Sequence, residues 1–138
     1  MPKFSRSSRD KLAECHEDLQ VLFNEVIRYY DCTITCGYRS KEEQNKAFTE
    51  GKSKLKFPNS KHNKKPSIAV DAVPYEKTGV DWDLKQALFF SGFVKGIADR
   101  LYSEGIIKHK VKAGADWNMN YDINDEIFID YFHFELVL

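Results

Sequence analysis

The run Ile68-Ala69-Val70-Asp71-Ala72-Val73 constrains this chain more than any other stretch. Apolar residues between a polar loop and Pro74 read as a buried strand that the proline stops. A carboxylate in such a run is costly to bury unless it is paired or bound to a metal. Alternation places Asp71 on the face shared by Ala69 and Val73. The competing reading is an aspartate at the strand's exposed end.

The other elements follow from periodicity and caps. Leu12, Cys15, Leu19, Leu22, Phe23, Val26, Ile27 and Tyr30 form one helical stripe, with Ser7 and Asp10 as a capping box and Asp31 as its end. Residues 33–38 read as a β-branched strand. Ser40 and Glu43 cap a helix running to about Glu50, where Gly51 stands as the C′ residue. Residues 52–67 form a long polar loop, a length that often carries function. A helix is expected from Asp83 to Glu104 with Gly105 as its stop, then strands at 106–113 and 132–138. The expected fold is a single α+β domain over 1–138, a small, largely antiparallel sheet with flanking helices.

The formal net charge is zero, so global electrostatics name no partner. The charges are unevenly spread, however. Residues 46–65 carry seven lysines and one acid, Glu50, while 116–135 carry six acids and no lysine or arginine. These runs read either as solvated loops or as a basic rim beside an acidic pocket. The lysine run lacks the aromatic interleaving of a nucleic-acid binder, and none is expected. No segment approaches the ~20 apolar residues of a membrane span. No signal-peptide core follows the N-terminus, so synthesis in a cytoplasm is expected. Cys32 and Cys36, separated by about 13 Å of strand, are too far apart for a disulfide. With Cys15 they read as free thiols.

The chain has four histidines. His16 reads as a helix boundary residue and His109 as a satisfied structural histidine. His62 lies in the polar loop. His133 alternates with Tyr131 and Glu135, opposite Phe132, Phe134 and Leu136. His62, Asp71 and His133 form a candidate two-histidine, one-carboxylate set, which suits zinc with an open position for water. Asp116, Asn118, Asn120, Asp122 and Asn124 have the alternate spacing of a calcium loop. Tyr121 stands where such a loop needs glycine and Ile127 where it needs glutamate, so a polar or substrate-lining loop is the expectation.

At these residues the chain resembles the zinc peptidases of the D-alanyl-D-alanine carboxypeptidase and L-alanyl-D-glutamate endopeptidase group, which share the hedgehog-type fold, and phage endolysins within it. The family pattern Ser-x-His, then Ala-x-Asp, reads Ser60-Lys61-His62 and Ala69-Val70-Asp71. Its Asp-x-x-His reads Asp130-Tyr131-Phe132-His133, and Gly37-Tyr38-Arg39 with Gln44 match an upstream Gly-x-Arg and glutamine. Gly114-Ala115-Asp116-Trp117 and Pro74-Tyr75 also look like phage members. The loop after His62 is two residues longer than the pattern, with Ser67 near the usual glycine position.

The resemblance implies His62, Asp71 and His133 as zinc ligands, Asp130 as general base, and Arg39 at the oxyanion or on a substrate carboxylate. Ser60 and Gln44 would position substrate. It implies hydrolysis of the L-Ala–D-Glu bond in the peptidoglycan stem peptide by a monomeric lysin, made in the host cytoplasm and acting once the membrane is permeabilised. A D-Ala–D-Ala carboxypeptidase and a non-catalytic zinc-containing binding domain are the alternatives.

Overall fold

The computed structural model describes residues 2–76 and 78–138. In chain order the elements are α1 (Arg6–Ala13), α2 (Glu17–Val26), β1 (Cys32–Cys36), α3 (Lys41–Thr49), β2 (Ala69–Glu76), β3 (Gly79–Val80), α4 (Leu84–Ser103), β4 (Lys110–Ala113) and β5 (His133–Val137). The strands form one antiparallel sheet in the order β1-β2-β5-β4, with β3 paired to the end of β2. This is the α+β architecture that the mixed, short elements imply. Among the described residues no helix is long and apolar enough to cross a membrane.

One face of the sheet carries the core. Val70 and Ala72 of β2, Phe134 and Leu136 of β5 and Val111 of β4 pack with Leu19, Leu22, Phe23 and Val26 of α2 and Phe90, Val94 and Ala98 of α4. Phe134 sits edge-on to Phe23 at 5.6 Å and to Phe90 at 6.1 Å between ring centroids. Period-two alternation then turns Ala69, Asp71, His133 and Glu135 to the opposite face. Register sharpens this, because Asp71 pairs directly with His133 and Ala69 with Glu135.

The α3 and α4 expectations match closely. Ser40 and Glu43 make a reciprocal capping box, Asp83 caps α4, and Gly51 and Gly105 take positive φ just past their helices. The expected single helix through Tyr30 is instead two, and Ser5 rather than Ser7 caps the first. The break has a tertiary cause. Ser67 docks beside Cys15, its N–H donating to Glu14 O at 2.9 Å and its O accepting from His16 N–H at 2.8 Å. His16 then caps α2 through Nδ1, which accepts from Asp18 N–H. The hydrophobic stripe reads through because Leu12, Cys15, Leu19, Leu22, Phe23, Val26 and Ile27 all enter one core.

Pro74 does not stop β2; it pairs with Cys32 inside the strand. Two residues earlier, Ala72 N–H donates to Phe132 O, just before β5 begins. The edge that Pro74 leaves without a donor therefore lies beyond the end of β5. The 106–113 strand is shorter than expected, since Asp18 Oδ2 accepts the N–H groups of Lys108 and His109, both at 3.0 Å, ahead of β4.

Candidate active site

The open face of β2 and β5 floors a cavity of about 280 Å³ whose lining includes Arg39, Ser60, His62, Asp71, Trp117, Asp130 and His133. A wider depression is lined, among the described residues, by Asp31, Tyr75, Glu76 and Thr78, with no histidine among them. The chemistry-bearing residues therefore converge in the smaller space.

Each imidazole is held from behind. His62 sits in a single 3-10 turn, Lys61–Asn63, capped by Ser60, whose Oγ accepts from His62 N–H. Its Nδ1 lies 2.8 Å from Gly37 O, so Nδ1 carries the proton and Nε2 faces inward. That Nε2 is buried, makes no hydrogen bond, and stands 3.2 Å from Asp71 Oδ1. His133 is oriented by the opposite nitrogen. Its Nε2 lies 2.8 Å from Glu135 Oε1, leaving Nδ1 3.3 Å from the same Asp71 oxygen. Two imidazole nitrogens and one carboxylate thus converge, and the orphaned Nε2 fits a bound cation.

Cys36 is a neighbour that alternation did not single out. Cys36, His62 and Asp71 present ligand atoms within 4.8 Å of one another. Yet the thiol lies 3.7 Å from Nδ1 of His62, the nitrogen bound to Gly37 O. It therefore stands behind the imidazole, and His133 completes the inward-facing set. A second cluster, His16, Asp18 and His109, lies outside the cavity. There Asp18 Oδ2 accepts from His109 Nδ1 at 2.8 Å, the satisfied histidine expected from sequence.

The loop after His62 has an anchor at Ser67. Its fully buried Oγ donates to Ala69 O at 2.6 Å and lies 3.1 Å from Gly37 O, the carbonyl that holds His62. Gly37 must be glycine, because a Cβ there would lie 2.2 Å from Lys11 O of α1.

Asp130 enters from the 114–132 loop. Its N–H donates to Gly114 O at 2.9 Å, and Gly114 N–H donates to His133 O at 2.7 Å. A Cβ on Gly114 would lie 2.3 Å from Asp130 O. This close approach is the physical reason for glycine there, ahead of Ala115-Asp116-Trp117. Trp117 covers His133, ring centroids 5.6 Å apart, with Nε1–H donating to Phe128 O. The Asp116 carboxylate accepts from the N–H groups of Asn120 and Tyr121 and so orders its own loop.

Arg39 and Gln44 divide their tasks. Arg39 Nη2 lies 3.6 Å from Asp71 Oδ2, and Nη1 donates to Gln44 Oε1 at 3.0 Å. Gln44, expected to touch substrate, is fully buried outside the cavity lining. Its Nε2 donates to Leu55 O and Ser53 Oγ, and Oε1 accepts from Arg39 and Asn63.

The ionisation states follow from this packing. Burial pulls the His62 imidazole down, but the charge and contact of Asp71, with Cys36 alongside, push it up to about 10. Burial likewise opposes the contacts of His133 with Asp71 and Glu135, which win and raise it to about 9. Burial would raise Asp71, yet the charge of His62 and contacts from both histidines hold it well below the usual carboxylate range. Asp130 is raised, by burial first and then by the charge of Asp71. Without a cation, Asp71 acts as counterion to two protonated imidazoles, and those protons compete with a metal.

The family model for phage L-alanyl-D-glutamate peptidases matches residues 1–137. The chain belongs to that family. A relative 33% identical over 141 aligned positions is the L-alanyl-D-glutamate peptidase of Escherichia phage T5, and the match spans 98% of each chain. The crystal structure of the Serratia marcescens L-Ala D-Glu endopeptidase ChiX shares the fold with a TM-score of 0.73, at 22% identity over 98% of this chain and 90% of that one. The match thus extends over nearly the whole chain, including the loop that Ser67 clamps.

Proposed function

We propose that this phage-family peptidase hydrolyses the amide bond between L-Ala and D-Glu in the peptidoglycan stem peptide, with zinc held by His62, Asp71 and His133. The observation that carries the metal assignment is the inward convergence of His62 Nε2 and His133 Nδ1 on one Asp71 oxygen, with each outer nitrogen already engaged. Nitrogen and carboxylate donors suit zinc better than calcium or magnesium. When bound, zinc supplies a Lewis acid that polarises the scissile carbonyl and lowers the pKa of water toward ~7.

The chain's own groups do the rest. Asp130 takes the proton from the attacking water and delivers it to the departing amine of D-Glu. Its raised carboxyl makes it a better base than an exposed aspartate. Arg39 brings positive charge to the oxyanion, and Gln44 fixes its guanidinium from behind. Ser60 keeps the His62 turn in shape and lines the cavity where substrate sits. The protein waits in the host cytoplasm until the membrane opens.

Turbidity loss of purified peptidoglycan, zinc content and mass analysis of released peptides test this together. The expected result is lysis with new L-Ala carboxyl and D-Glu amino termini. Asp130→Ala should keep the metal and lose at least about a hundredfold in rate. A zinc-loaded wild type that releases terminal D-Ala instead would make it a carboxypeptidase, and one that cleaves nothing would make it a binding domain.

A further inference from the structure

Besides the proposed metal ligands and Asp130, the cavity is lined by four cations, Arg39, Lys52, Lys54 and Lys61. Three of them already have carboxylates. Arg39 faces Asp71 at 3.6 Å, Lys52 faces Glu50 at 3.3 Å, and Lys61 faces Glu135 at 3.5 Å. Lys54 has no acidic partner among the described residues. Its ammonium instead rests 3.9 Å from the centroid of the Phe128 ring, which also lines the cavity. A ring holds a cation by one side and leaves its other N–H groups free to donate.

The position of Lys54 is fixed from within. Leu55 O and Ser53 Oγ accept from Gln44 Nε2 at 2.6 and 2.9 Å, while Gln44 Oε1 accepts from Arg39. Ser53 N–H also returns to Ala47 O of α3. One buried amide therefore sets the spacing between the Arg39 guanidinium and the loop that carries Lys54. Arg39, beside Asp71, and Lys54 line the same cavity, so a substrate bound there can meet both.

The chemistry of the proposed substrate supplies what Lys54 lacks. A D-glutamyl residue on the amine side of the scissile bond has two carboxyls. Whichever one continues the chain, the other is free. We propose that Lys54, stacked on Phe128, binds this free D-Glu carboxylate and makes the enzyme select a glutamyl over a glutaminyl residue after the cut. The proposal rests on the peptidase reading above.

The test compares N-acetyl-L-Ala-γ-D-Glu-L-Lys with the same peptide whose free D-Glu carboxyl is a carboxamide, using zinc-loaded protein. Wild type should cut the carboxylate peptide about tenfold better in kcat/KM, the scale of one charge-assisted hydrogen bond. Lys54→Gln should bring the ratio to within about twofold by raising KM for the carboxylate peptide, leaving the carboxamide rate in place, and Lys54→Arg should restore most of the preference. A purely structural role for Lys54 would slow both peptides equally and leave the ratio standing, which overturns the assignment. A wild type with no preference overturns it too. A wild type that cleaves neither peptide removes the peptidase reading and the subsite with it.

Discussion

Gly114→Ala tests whether the loop carrying Asp130 is positioned by backbone contact. The added Cβ would stand 2.3 Å from Asp130 O and 2.8 Å from Asp130 Cβ, where real Cβ contacts essentially never fall under 3.0 Å. The backbone at Asp130 must then retreat by at least about 0.7 Å, the difference between 3.0 and 2.3 Å. It cannot retreat alone, because Asp130 N–H is bonded to Gly114 O and Gly114 N–H to His133 O. Overpacking of this kind costs about 1–3 kcal/mol of stability. Displacing a catalytic group by about 1 Å costs on the order of a hundredfold in rate. The expected variant is folded, melts lower, binds zinc more weakly through the pull on His133, and has kcat/KM down about a hundredfold at saturating metal. Steady-state kinetics beside a thermal melt and a zinc titration read all three. A folded Gly114→Ala protein with more than a third of wild-type kcat/KM would show that Asp130 is not positioned through this contact.

Three further outcomes follow from the site and its supports. Glu135→Gln removes the anion behind His133 Nε2 and should weaken zinc binding by about 10–100-fold in a chelator competition; unchanged affinity would refute the orienting role. In the metal-free chain His62 and His133 hold their protons to about 10 and about 9, above the ~6.5 of an unfolded imidazole. Their stabilisation is therefore complete below pH ~6.5 and lost as pH rises through those values. The apo melting temperature should fall across that window while zinc affinity rises, and an apo protein more stable at pH 9.5 than at 6.5 contradicts the pairing with Asp71. Asp18→Ala strands the N–H groups of Lys108 and His109 and should cost about 2–4 kcal/mol in denaturant unfolding, with kcat spared under folding conditions; a loss below about 0.5 kcal/mol would mean that solvent replaces the carboxylate.

Local signals were legible where local physics decides. Asp83 and Gly105 bound α4, and Ser40 and Glu43 start α3, because caps act within one turn. Alternation alone turned Asp71 and His133 to one face, since the pleat has period two. What sequence hid was settled by contacts between distant segments. The helix break at Cys15 depends on the backbone of Ser67. Pro74 stays in β2 because β5 is short at that end. Gln44 read as a substrate-positioning residue, yet it is fully buried, tied to the 53–55 loop and to Arg39. Cys36 gave only a strand signal, although its sulfur touches both His62 and Arg39. The stacking of Lys54 on Phe128 joins the lysine-rich and acidic runs at the cavity, and neither run names its partner.

The site has two groups of supports, joined where Arg39 N–H donates to His62 O and Asn63 of the His62 turn donates to Arg39 O and Gln44 Oε1. The imidazoles and Asp71 are held by the pairing of β2 with β5, by Gly37 O and by Glu135, all on the sheet or anchored to α1. Arg39 and the Lys54 loop are held through Gln44 of α3. A metal centre must hold its ligands closely in place, and a central antiparallel pair supplies that rigidity. The proposed Lys54 contact needs only its loop held, because the lysine stem can follow a carboxylate. Damage to the first group should therefore be visible as lost metal, whereas damage around Gln44 should leave zinc in place, lower kcat through Arg39 and raise KM through the Lys54 loop.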